Sequence, residues 1–280
     1  MRKIMDSYGK INLSLDVIER RRDGYHNIDT IMQLIDIKDE VTLEEIPEKT
    51  CKITCSNPVI PRDEANLVYK AWKLFQEKTG YDKGLKIHLE KRIPQAAGLA
   101  GGSSNAATVL KYLNGQAGSF LTVKDLMTLG REIGADVPYF FCEKTVRAQG
   151  IGDVFDELPS LKGTPVLILN NGREVSTKEI YQRLTPSKTS SIDSVAQAIQ
   201  EGSLEKLAVF AYNSMEKVVF DLHPELGEIK KEVQNLGALY SLMSGSGATI
   251  FGVFKDEKAL DRAYQEVKDK YPLVIKTRMI

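Results

Sequence analysis

Between residues 94 and 110 the chain reads PQAAGLAGGSSNAATVL, three glycines and two serines pressed against the start of an Ala/Val/Leu helix. A strand passing through Gly98, Gly101 and Gly102 into a helix capped by Ser103 or Ser104 turns several backbone N–H groups toward one point, at the positive end of the helix dipole. Glycine lets the main chain approach an anion closely, and the serine hydroxyls add donors. The chemistry this suits is phosphate binding. The stretch has no GK[ST], so it is not a P-loop, and G-x-x-G-G is not the G-x-G-x-x-G of dinucleotide-binding folds. A glycine-rich turn followed by a serine N-cap accounts for the same residues without any ligand.

Little else in the chain offers chemistry by spacing alone. Cys51 and Cys55 stand C-x3-C, not the C-x2-C of common zinc sites, and share one face of a strand, which suits small buried residues. His26, His88 and His223 are too scattered for a metal site. Thirty-eight basic residues balance thirty-eight acidic ones, so no bulk field draws nucleic acid or an anionic membrane, and any anion must be held locally. No apolar run approaches the roughly 20 residues that span a bilayer. The start, MRKIMDSYGKINLSL, lacks an uninterrupted apolar segment and a small-residue cleavage site, so a cytoplasmic protein is expected.

The elements that must carry the glycine stretch follow from periodicity. Ile11, Leu13, Leu15 and Val17 alternate as in a strand. A D-G turn at Asp23–Gly24 leads to strand-like segments over 27–37 and 39–46. Leu67, Ala71, Leu74 and Phe75 mark one face of a helix over 64–79, and residues 84–93 read as the strand that feeds the glycines. A second helix over 123–134 ends at Gly134. Residues 163–172 carry a buried-strand signal, and STKE at 176–179 is a capping-box pattern opening a short helix. Helical segments continue to about 236, then strand, glycine turn and strand over 238–254, then helix and strand. With 280 residues, about two domains are expected, and the order of elements suits an α+β sandwich.

These residues resemble the GHMP kinases, the family of galactokinase, homoserine kinase, mevalonate kinase and phosphomevalonate kinase. PQAAGLAGGSSNAA is similar to their P-x-x-x-G-L-x-[SG]-S-[SA]-type phosphate loop. Further matches run in order along the chain: YGKINLSLDV at 8–17, RRDGYHNI at 21–28, GADVPYF at 134–140, GIGD at 150–153, STKEIY at 176–181 and MSGSGATIFG at 243–252. The combination of K-I-N-L, D-G-Y-H and G-A-D-V-P points to the branch that phosphorylates a cytidine diphosphate-linked methylerythritol on the non-mevalonate route to isoprenoid precursors. Departures from the pattern are Glu143 and Lys144 where a glycine pair is usual, Asn105 where aspartate is common, and Gln95 in the loop.

The resemblance implies a two-lobed α+β fold with the active site in the cleft between lobes. A β-rich N-terminal domain would span 1–157 and a ferredoxin-like C-terminal domain 158–280. It implies ATP and Mg²⁺, a small-molecule acceptor, no nucleic acid or membrane partner, and a monomer or weak homodimer. The phosphate loop would be Pro94, Gln95, Ala96, Ala97, Gly98, Leu99, Ala100, Gly101, Gly102, Ser103 and Ser104. Lys10 and Asp136 would be catalytic, and Asn12, Tyr25, His26 and Tyr181 would hold the acceptor. Residue types alone leave other readings: Lys10 a surface residue, Asp136 a helix cap or solvated loop acid, Tyr25 and His26 an exposed hairpin turn. Ser244–Thr249 would support the phosphate loop, although a plain hairpin turn explains it too. Arg20, Arg21 and Arg22 read as a solvated turn, with a contact to the acceptor diphosphate as the alternative. A kinase for a mevalonate- or homoserine-type alcohol, and a non-catalytic binding protein on the same fold, are the competing functions.

Overall fold

The computed structural model describes residues 2–186, 189 and 191–280. Ser187, Lys188 and Ser190, inside the stretch read as helical, lie outside the described residues.

Strand β1 (Arg2–Arg20) carries the alternation of its sequence. Ile11, Leu13, Leu15 and Val17 are each at most 4% exposed, and so are the intervening Lys10, Asn12, Ser14 and Asp16. Since successive side chains of a strand point to opposite faces, one face of β1 is apolar core and the other is a buried polar stripe. A turn at 21–25, with Gly24 at φ 90°, leads into β2 (His26–Ile46), which pairs with β1. The sequence suggests two strands here; the structure has one, because no Gly or Pro interrupts 37–40 and the buried–exposed alternation runs on through Asp36, Ile37, Lys38 and Asp39.

The chain forms two compact units. The first comprises Met1–Gly9, Ile37–Gln95 and Ala100–Glu143; the second comprises Lys10–Asp36, Ala96–Leu99 and Lys144–Ile280. In the first, the C-terminal half of β2 pairs antiparallel with β4 (Gly84–Glu90), from Glu40 opposite Glu90 to Ile46 opposite Gly84. On the other side of β4 lies the parallel β3 (Cys51–Cys55). Three helices pack together in this unit: α1 (Leu67–Thr79), α2 (Gly101–Gln116) and α3 (Val123–Ile133). Helix α1 starts where Asn66 Oδ1 accepts the N–H of Val68, and it buries Val68, Ala71, Trp72 and Phe75. Helix α3 opens on a reciprocal Thr122–Asp125 capping box. It stops at Gly134, whose extended backbone leads to the 3-10 turn Pro138–Phe141.

In the second unit, residues 28–32 of β2 pair antiparallel with β5 (Val146–Gly150), which pairs with β6 (Val154–Glu157). A separate antiparallel sheet has the order β10 (Leu273–Arg278), β7 (Pro165–Asn170), β9 (Ile250–Val253), β8 (Tyr240–Met243). All six residues of β7 are buried, as an apolar run in a central strand should be. Short helices α4 (Thr177–Arg183), α5 (Ser191–Gln200), α6 (Leu204–Phe210) and α7 (Glu216–Leu222) precede α8 (Pro224–Asn235), which packs on β8 and β9. Helix α9 (Glu257–Val267) packs on β7 and β10. The core between them includes Leu167, Leu226, Val233, Ile250, Phe254 and Val267. At the start of α4 the Ser176 side chain accepts the N–H of Glu179, as the STKE pattern leads one to expect.

Candidate active site

The glycine stretch takes a conformation that glycine and alanine share. Ala96 (φ 49°), Gly98 (φ 73°) and Ala100 (φ 55°) are left-handed, while Ala97 and Leu99 between them are not. Alternation of backbone hand turns successive N–H groups to one side, the concave arrangement that receives anions. Ala97 and Leu99, each at most 2% exposed, pin the stretch to the core, while Gln95 and Ala96 are exposed. Helix α2 then begins at Gly101, one turn earlier than a serine cap would place it. Ala100 is the N-cap with no side-chain bond, and Ser103 and Ser104 lie within the first turn. Among the described residues, the N–H groups of Gly101, Gly102 and Ser103 have no intramolecular acceptor. Gly102 is exposed and Ser103 half-buried, whereas the Ser104 hydroxyl is buried and accepts from Ser7 Oγ at 2.7 Å.

The middle of this loop is bound to two other segments of the second unit. The backbone N–H of Lys10 donates to Leu99 O at 3.0 Å. Ser244 Oγ donates to Gly98 O at 2.9 Å and lies 3.3 Å from the N–H of Asn12. A Cβ at Gly98 would come within 2.1 Å of Ser244 O, so glycine is required there by contact as well as by φ. The SGSGAT segment therefore braces the loop, as the resemblance implies. It is itself held by Asn213, whose Nδ2 donates to Met243 O at 2.7 Å and Gly245 O at 2.9 Å, and by Glu216, which accepts the N–H of Met243 at 2.8 Å.

Lys10 is 3% exposed, and its ammonium donates to Asn12 Oδ1 at 2.6 Å. Asn12 Nδ2 donates to Thr30 Oγ1 at 2.9 Å, and Thr30 Oγ1 donates in turn to Ser14 O at 2.6 Å. Each group in this chain has its donor and acceptor roles fixed by the next, which holds the lysine in one orientation. Further along the polar face of β1, Ser14 Oγ donates to Tyr212 O, and Asp16 Oδ2 accepts from the backbone and hydroxyl of Thr189.

Tyr25 is 58% exposed in a turn closed by Arg21, whose guanidinium forks onto Asp23. This confirms Arg21 as a turn residue. His26 stacks on Tyr181 with ring centroids 4.7 Å apart and planes inclined by 27°. Burial, and then the nearby charge of Arg20, holds the imidazole below its ordinary value. In the first unit, Asp136 is partly exposed and immediately precedes buried Val137 and Pro138. Spacing had given no role to Thr30, Asn213, Asp39 or Lys91. The one readable sign was polar residues at every second position of an apolar strand, K-I-N-L-S-L-D-V.

Within the second unit, a loop of alternating backbone hand is bonded to the main chain of a buried lysine and braced by Ser244. The chain belongs to the GHMP kinases: residues 66–144 match the GHMP kinases N terminal domain and residues 195–273 the GHMP kinases C terminal domain. It is 40% identical over 276 residues to the 4-diphosphocytidyl-2-C-methyl-D-erythritol kinase of Finegoldia magna, with 99% of each chain covered. With the enzyme of that name from Alkaliphilus metalliredigens it shares 42% over 270 residues, covering 95% of this chain and 93% of the relative. A crystal structure of 4-(cytidine 5'-diphospho)-2C-methyl-D-erythritol kinase superimposes with a TM-score of 0.82 at 30% identity, covering 100% and 99% of the two chains. The protein is thus an ATP-dependent kinase of α+β GHMP fold. Among the described residues no helix is long and apolar enough to cross a membrane.

Proposed function

We propose that the protein phosphorylates the 2-hydroxyl of 4-diphosphocytidyl-2-C-methyl-D-erythritol with ATP, giving the 2-phosphate and ADP in the non-mevalonate route to isoprenoid precursors. It acts in the cytoplasm as a monomer or weak homodimer, with its two kinase domains dividing near residue 157. One observation carries the reaction class: Lys10 is bonded through its main chain to Leu99 of the phosphate loop, which ties a buried cation to the anion-binding backbone. The choice of acceptor is supported by full-length similarity to relatives of that name.

Phosphoryl transfer passes through a loose transition state, so the protein's task is to align the hydroxyl and stabilise charge spreading over the transferred group. Backbone N–H groups of the loop from Pro94 to Ser104 bind the phosphates, and Lys10 neutralises the developing charge. Asp136 orients the acceptor hydroxyl and takes its proton late. A carboxylate is too weak a base to deprotonate an alcohol in the ground state, so removal is concerted with transfer. Mg²⁺ would come with the nucleotide substrate and would supply charge neutralisation at the phosphates. Among the described residues no group of three or more His, Cys, Asp or Glu is placed to hold a metal ion. His26, Tyr25 and Tyr181 offer stacking faces and a hydrogen-bonding edge to the cytosine, and Asn12 a polar group to the diol.

Coupled ADP release tests this directly. Wild type should turn over the cytidyl substrate and neither mevalonate nor homoserine, and Lys10→Ala and Asp136→Asn should each lose at least roughly 100-fold in turnover. Activity on mevalonate or homoserine alone would replace the acceptor, and unchanged turnover in both variants would remove the mechanism.

A further inference from the structure

A buried carboxylate outside the predicted site joins the two ends of the phosphate loop. Asp39, in β2, is 0% exposed. Its Oδ1 accepts the backbone N–H of Arg92 at 2.8 Å and of Ile93 at 2.9 Å, the last residues before the loop. Its Oδ2 accepts from Asn105 Nδ2 at 3.0 Å, in α2 just after the loop, and from the ammonium of Lys91. Lys91 donates also to Asn105 Oδ1 at 3.0 Å, and Asn105 Nδ2 reaches Ser7 Oγ at 2.8 Å, which in turn donates to Ser104 Oγ. The Lys91 side chain is 7% exposed, and a Cβ at Gly101 would lie 3.3 Å from its nitrogen. The ammonium therefore rests against the first turn of α2.

Every polar side-chain atom of this cluster has a partner; among the described residues the buried orphans are Asp16 Oδ1, Tyr240 OH and Thr277 Oγ1. A fully satisfied buried network has one low-energy arrangement, and breaking one member leaves a charge or donor stranded. The loop between has two alanines in left-handed conformation with no side-chain helix cap to hold it. Its middle is held by Ser244 and by the N–H of Lys10, and its ends are held by Asp39.

We propose that Asp39 is a positioning residue for nucleotide binding, fixing the distance and angle between the strand exit at 91–93 and the start of α2 so that the loop N–H groups converge before the nucleotide arrives. The inference rests on the kinase reading, but not on the identity of the acceptor. Asn at 39 could still accept the two backbone N–H groups, yet its amide would face the Lys91 ammonium and the Asn105 amide, donors meeting donors.

The test is titration calorimetry with magnesium and the non-hydrolysable analogue AMP-PNP, alongside thermal melts. Asp39→Asn should weaken analogue binding at least roughly tenfold, as expected when binding groups lose preorganisation. The double variant Asp39→Asn/Asn105→Asp, which exchanges amide and carboxylate at constant charge, should recover most of that loss. Phe75→Leu, in the same unit's core, serves as a control that lowers melting temperature while leaving affinity alone. Should Asp39→Asn fail to fold, Asn105→Ala, which removes one arm of the link, should show the weakening at smaller amplitude. Wild-type affinity in Asp39→Asn, or in Asn105→Ala, overturns the proposal, as does a loss no larger than that of a control with the same drop in melting temperature. Failure of the acceptor reading would appear instead as tight AMP-PNP binding by wild type with no turnover of the cytidyl substrate.

Discussion

Gly98 carries more of the site than its lack of a side chain suggests. Its φ of 73° costs an L-residue roughly 1–2 kcal/mol, and its Cα hydrogens face Ser244 O so closely that a methyl group would sit 2.1 Å from that oxygen. Backbone cannot yield as a flexible side-chain tip can. Gly98→Ala should lower the melting temperature and weaken AMP-PNP binding at least roughly 30-fold, by spoiling the oriented donors on which electrostatic stabilisation depends. Ala100→Gly, at another left-handed position, should keep wild-type affinity. Equal affinity in wild type and Gly98→Ala, read by calorimetry, would show that the Gly98–Ser244 contact does not shape the loop. Glu143 teaches the same lesson in reverse. The backbone at 143 is left-handed (φ 54°) with glutamate in place. Its carboxylate takes the ammonium of Lys111, which also donates to Phe140 O.

Strand β8 and helix α7 show how an element far along the chain positions a loop it never precedes. Glu216, at the start of α7, accepts the N–H of Met243 and pairs with Lys230. Burial raises its carboxyl above the usual 4.5, against the opposing pull of Lys230 and of the Met243 N–H. From 4.5 up to the raised value, the folded protein keeps a proton that the unfolded chain has released, so this group subtracts stability as pH rises through that interval. The melting temperature of wild type relative to Glu216→Gln should accordingly fall as pH rises from 4.5 through the raised value, in scanning calorimetry at matched ionic strength. A difference independent of pH would mean that the carboxyl titrates alike in both states.

Much of the element order was legible because periodicity survives in sequence. The strand of Ile11 to Val17, the buried β7, the Ser176 cap and the strand–turn–strand at 240–253 all stand where their patterns put them. What sequence obscured depends on contacts distant along the chain. Helix α2 begins at Gly101 rather than after a serine cap, because Ala100 adopts a left-handed turn that no local propensity favours. Thr30, Asn213 and Asp39 are ordinary polar residues in their own segments and acquire meaning only from Asn12, Gly245 and Arg92.

Taken whole, the molecule has equal numbers of acidic and basic residues, so affinity for a triphosphate must come from local donors rather than from a general field. The donors we propose are backbone amides of one loop, to which Lys10 is bonded through its main chain, in a chain that matches kinase domains over 66–144 and 195–273. The decisive question is where the phosphoryl group goes. Phosphorus-31 NMR of MgATP, 4-diphosphocytidyl-2-C-methyl-D-erythritol and protein should show a new phosphomonoester resonance growing in step with ADP, and growing at least roughly 100-fold more slowly with Asp136→Asn. ADP accompanied by inorganic phosphate and no new monoester, or equal rates for wild type and variant, would contradict it.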